Sequence, residues 1–81
     1  MEQIRDLILT IARSLVDEPD QVKLNMIEGA SSYVFELSVS KKDTGRIIGK
    51  QGRNANAVRT VLAAVAAKAK NKITLEIIDC D

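Results

Sequence analysis

Two glycines three positions apart, Gly49 and Gly52, stand where two apolar helical patterns meet, and this break constrains the fold more than any other feature of the chain. Before it, Ile47 and Ile48 close a short pattern that Asp43 or Thr44 is suited to cap. After it, Ala55, Val58, Leu62, Val65, Ala66 and Ala69 recur at helical spacing and predict a long helix from about Arg53 to Lys70. Lys68 and Lys70 near its end suit the negative pole of the helix dipole. Two glycines within Gly49-Lys50-Gln51-Gly52 make one continuous helix costly, so a tight turn between two helices is expected.

The remaining elements follow from hydrophobic period. Ile4, Leu7, Ile8, Ile11, Ala12 and Leu15 predict an amphipathic first helix that stops near Asp17-Glu18-Pro19-Asp20. Val22, Leu24 and Met26 alternate with polar residues, as do Tyr33, Phe35, Leu37 and Val39 with their neighbours, and each set predicts a strand. The turn between them, Glu28 to Ser32, offers Gly29 for a positive φ. Tyr33 and Phe35, the only aromatic residues, are expected in the core. Ile73, Leu75 and Ile77 predict a last strand. The order α-β-β-α-α-β predicts an α+β fold, a three-stranded sheet packed on helices, forming a single domain over residues 1–81. A chain of 81 residues buries only a thin core, so a second copy would help it.

The net charge of +1 conceals an uneven distribution. Lys41, Lys42, Arg46, Lys50, Arg53, Arg59, Lys68, Lys70 and Lys72 share their stretch with one acid, Asp43, while the rest of the chain carries ten acids and three basic residues. Such a division directs a positive field to one part of the molecule and repels polyanions from the other. The absence of histidine removes the commonest general base and metal ligand, so neither catalysis nor a metal or cofactor site is expected. A lone cysteine, Cys80, cannot form an internal disulfide. No apolar run approaches the roughly 18 residues of a membrane span. A cytoplasmic protein is expected.

The glycine turn lies inside the basic stretch. Glycines permit close approach of another backbone. The free N–H groups at the start of the following helix favour an anion. Arg46, Lys50 and Arg53 add charge, and Ile48, Ala55 and Val58 offer an apolar floor for unpaired bases. Phosphates on one side and base faces on the other describe a groove for a single nucleic-acid strand. Other glycine motifs do not fit: Gly45 and Gly49 enclose three residues where a Walker A loop has four, and Gln51 follows Lys50 where that loop has Ser or Thr.

Ile47-Ile48-Gly49-Lys50-Gln51-Gly52-Arg53 resembles the signature loop of KH domains, whose G-x-x-G segment clamps about four nucleotides of backbone. The element order resembles the bacterial, type II arrangement. Asp43-Thr44-Gly45-Arg46 and Ala57-Val58-Arg59-Thr60 are similar to the small bacterial KH proteins of the KhpA kind. That resemblance implies a non-catalytic module binding single-stranded RNA through Arg46, Ile48, Gly49, Lys50, Gln51, Gly52, Arg53 and Ala55. It also implies an RNA chaperone that dimerises, pairs with a larger KH-domain protein and serves cell-wall and cell-length homeostasis. Ala55 and Ala57 stand where many KH domains carry larger aliphatic residues, so a shallow floor and low base selectivity are expected.

A second reading makes the chain a dimerisation adaptor. Ala57, Val61 and Ala64 form another small apolar stripe on the long helix, away from its core-flanking side. Two copies of such a stripe can pack on each other about a two-fold axis.

Overall fold

The computed structural model describes the backbone of residues 2–80 and the side chains of residues 2–78, so the Cys80 thiol lies outside the described part. Helix α1 (Glu2–Leu15) buries Ile8, Leu9 and Ala12. The expected stripe is rotated slightly: Leu9 joins the core and Leu7 is exposed, while Val16, just past the helix, packs against the same core. A short 3-10 turn at Pro19–Gln21 redirects the chain. The Glu18 backbone is non-helical there, as the following proline requires.

Strand β1 (Lys23–Glu28) pairs antiparallel with β2 (Ser32–Ser40), from Lys23 opposite Ser38 to Glu28 opposite Tyr33. The turn closes with a bond from the Gly29 N–H to the Ser32 carbonyl, 2.8 Å. Contrary to expectation, Gly29 does not have a positive φ; only Gly49 and Gly52 among the glycines do. What Gly29 supplies is room, since a Cβ there would lie 2.8 Å from Ser32 Oγ. Met26 also departs from expectation and is exposed. It shares an open depression with Glu2, Arg5, Glu28 and Tyr33, where the first turn of α1 presents charged residues instead of an apolar cover.

β2 is the central strand. Phe35, Leu37 and Val39 project from one side into the core, each almost wholly buried. Full burial of such a side chain contributes about 1.5–3 kcal/mol. On the opposite side Asn25 Nδ2 donates to Glu36 Oε1 at 3.0 Å across the open face of the sheet. A 3-10 turn (Lys41–Asp43) leads into α2 (Thr44–Ile48), whose Ile47 anchors it in the core. Past the glycine turn, α3 (Arg53–Ala69) lays Ala55 and Leu62 on the sheet, with Val58 half-buried beside them. It ends at Lys70, a left-handed cap whose N–H bonds the Ala66 carbonyl. Strand β3 (Lys72–Cys80) then runs parallel to β2, from Lys72 beside Ser32 to Cys80 beside Ser40. The α-β-β-α-α-β order and the sheet order β1-β2-β3 are those of the type II KH fold. Among the described residues no helix is long and apolar enough to cross a membrane.

Asp43 does not cap α2 through its side chain. Its own backbone is already in the right-handed helical region, whereas a capping residue is extended. The carboxylate is almost fully buried and turns back toward the end of α1. It accepts the backbone N–H groups of Asp17 (3.2 Å) and Glu18 (3.1 Å) and the Ser40 hydroxyl (3.1 Å). Burial pulls its pKa up, but these donors and the nearby Arg46 outweigh that and hold it below the usual carboxylate range.

Candidate nucleic-acid interface

The loop between α2 and α3 is built from three positive-φ residues: Gly49 (φ 77°), Gln51 (φ 58°) and Gly52 (φ 76°). Backbone bonds run from the Gly49 N–H to the Gly45 carbonyl (2.8 Å), from the Gly52 N–H to the Gly49 carbonyl (3.1 Å) and from the Arg53 N–H to the Lys50 carbonyl. Gly49, at ψ 172°, occupies a region essentially reserved for glycine. Gln51 sits in the left-handed helical region, which costs a non-glycine residue about 1–2 kcal/mol. Helix α3 begins directly at Arg53. The Arg53 N–H bonds the Lys50 carbonyl, and the N-cap, Gly52, has no side chain with which to satisfy the first-turn N–H groups that follow, which face solvent or a ligand.

Lys50, Gln51 and Arg53 are exposed around this turn, and neither Lys50 nor Arg53 is in an ion pair among the described residues. Arg46 is placed differently from expectation. Its guanidinium lies 3.0 Å from Asp17 Oδ2 and 3.5 Å from Asp43 Oδ1, directed at the end of α1. Lys42 is likewise held by Glu18 at 2.8 Å. The hydrogen bond from Lys42 lowers the Glu18 pKa, and Glu18 raises that of Lys42. Two cations of the basic stretch thus tie it to the acidic end of α1, and the charge offered at the loop rests on Lys50 and Arg53.

Ile48 is exposed beside the loop and supplies apolar surface there. Ala55, expected in the floor, is only 3% exposed. The helical period that places it near the loop also places it on the face that packs on the sheet, so it supports the site from beneath and offers no contact surface. The accessible apolar surface next to the loop is a groove between α1 and α3, lined by Ile11, Leu15, Asn54, Ala57, Val58 and Val61. Ala57, Val61 and Ala64 are all exposed, Val61 by 46%.

Asn54 was not among the expected site residues. Its Nδ2 donates to the Arg46 carbonyl oxygen at 2.8 Å, eight positions back across the loop. An asparagine in the first turn of a helix is common, and nothing in its spacing signals such a reach.

A profile of the KhpA/KhpB KH domain matches residues 5–77. The chain belongs to the KhpA/KhpB KH-domain family. This KH domain is 54% identical over 74 residues to the RNA-binding protein KhpA of Borreliella burgdorferi, covering 91% of this chain and 90% of that protein. It is 50% identical over 76 residues to the RNA-binding protein KhpA of Listeria monocytogenes, covering 94% of this chain and all of that one (100%). Among solved structures, it superposes on part of Era, crystallised with MgGDPNP and a segment of 16S ribosomal RNA, with a TM-score of 0.59 and 18% identity. That likeness covers 94% of this KH domain and 29% of the Era chain, and it concerns the fold alone.

Proposed function

We propose that this KH domain, acting as one unit over residues 1–81, binds short single-stranded RNA in the cytoplasm without catalysing a reaction. The observation that carries this reading is the Gly49–Gly52 loop: a start of α3 without a side-chain cap, flanked by Lys50 and Arg53, which are in no ion pair among the described residues. Phosphates approach the glycine backbone and these donors, while a base lies against Ile48. Gln51 at the tip is a neutral donor to the same backbone. Arg46 contributes through its place in α2, its charge being shared with Asp17 and Asp43. The relatives named RNA-binding protein KhpA support the choice of RNA as the polymer. The family resemblance further supports a role as an RNA chaperone acting with a larger KH-domain protein, in gene expression and in cell-wall and cell-length homeostasis. Ultraviolet crosslinking to uridine-containing RNA, with the modified peptides mapped by mass spectrometry, tests the assignment. Adducts between Ile48 and Arg53 are expected; adducts confined to other segments contradict it.

The α1–α3 groove favours a second reading, in which the domain is chiefly a dimerisation adaptor. Val61 stands exposed in that groove between the small residues Ala57 and Ala64, and a second copy of the stripe would cover it. The two readings separate on whether a monomeric form still binds RNA.

A further inference from the structure

We infer that Asn54 is a positioning residue of the loop: its side-chain amide, bonded to the Arg46 carbonyl and packed on Gly49, holds Gly49–Gly52 in its binding shape before a strand arrives. This rests on the loop being the RNA clamp. The loop's backbone bonds are all local, Gly49 to Gly45, Gly52 to Gly49 and Arg53 to Lys50, in a segment with three positive-φ residues. Two of those residues are glycines, which have the most conformational freedom to lose. Gln51 holds a conformation that its own Cβ disfavours. Left to itself, such a loop populates many shapes.

Asn54 ties it between two fixed points. The residue rides on the first turn of α3, and its amide reaches the Arg46 carbonyl of α2. Arg46, which supplies the carbonyl, is itself anchored through its guanidinium to Asp17 and Asp43. The side chain also fills the space that a Cβ at Gly49 would need: such an atom would lie 2.7 Å from Asn54 Cγ and 2.9 Å from its Nδ2. The glycine and the asparagine are therefore complementary parts of one closure. An untied loop reaches the binding shape only part of the time, and the apparent affinity falls by that fraction.

The two roles open to Asn54, positioning and direct contact, differ in kinetics. Losing a preorganising tie lowers the association rate, because fewer molecules are competent at encounter. Losing a contact to bound RNA raises the dissociation rate. N54L fills the same space on Gly49 and suits a helix, but has no donor. Stopped-flow binding of a dye-labelled oligouridine should show affinity weakened about three- to tenfold, within the range of one hydrogen bond. The change should lie in the association rate, with dissociation close to wild type and a thermal melt that stays a single cooperative transition, lowered by no more than about 10 °C. N54Q, which keeps an amide donor on a longer arm, should recover part of the loss. Wild-type kinetics in N54L, while K50E/Q51E abolishes binding, would overturn the inference and leave the loop assignment standing. A loss carried by dissociation would also overturn it. Undiminished binding by K50E/Q51E would instead remove the loop assignment beneath it.

Discussion

Asp43 Oδ2 accepts the backbone N–H of Glu18 at 3.1 Å, across 25 positions of sequence. The neighbouring oxygen accepts the N–H of Asp17, so one buried carboxylate fastens the end of α1 to the start of α2. Its folded pKa lies below the ordinary carboxylate value of about 3.9. The stabilisation is therefore fully present above that ordinary value and is lost as pH falls through the lower, folded one. Wild-type thermal midpoints should therefore drop as pH falls below about 4. D43A should lower the midpoint at neutral pH by roughly 5–10 °C, since two backbone donors lose their acceptor, and should flatten the acid limb. Calorimetry across pH checks both parts.

Two glycines four positions apart should respond in opposite directions to the same substitution. A Cβ at Gly45 meets nothing within 4 Å, and the residue lies inside α2. G45A should stabilise by about 0.5–1 kcal/mol, as alanine does in helix interiors. Gly49 has φ 77°, and its added Cβ would lie 2.9 Å from the Asn54 backbone nitrogen. G49A should destabilise by at least about 1–3 kcal/mol. Urea unfolding of the pair decides the matter, and equal stabilities would contradict the loop geometry.

The partners of Arg46 and Lys50 predict different consequences of neutralising them. A clamp touching roughly two to four phosphates gives a log–log salt slope of about −1.5 to −3 on single strands, and duplex RNA should bind more weakly. K50Q should make that slope shallower by about 0.7. R46Q should leave the slope nearly unchanged and lower the thermal midpoint, because its guanidinium serves Asp17 and Asp43. Anisotropy titrations over a salt series measure both.

Much of this fold was legible in the chain. The alternation of Phe35, Leu37 and Val39 and the glycine break at Gly49 are local signals, and local signals survive into the structure. What was not legible depends on distant residues. Asp43 is a good capping residue by type, and only the approach of Asp17 and Glu18 draws its carboxylate away from α2. Arg46 reads as a free cation until the end of α1 is placed beside it. Ala55 belonged by period to the buried face of α3 and by position to the loop floor, and packing on the sheet settled it in the core.

Val61 tests whether the α1–α3 groove is a self-association surface. V61E would set two like charges against each other across a two-fold contact, and a folded monomer is the expected product. Sedimentation velocity of wild type and variant at matched high micromolar concentration is the check. A wild-type monomer, or a variant that stays dimeric, rules this stripe out as the interface.

The double variant K50E/Q51E decides whether the Gly49–Gly52 loop holds the RNA backbone. Both glycines stay, both altered side chains are exposed, and two negative charges replace one cation and one neutral group at the phosphate site. Affinity for a short single-stranded RNA, measured by equilibrium titration at fixed moderate salt beside a thermal melt, should fall at least about tenfold with the melt unchanged. An intact fold binding the same RNA with undiminished affinity would contradict the account.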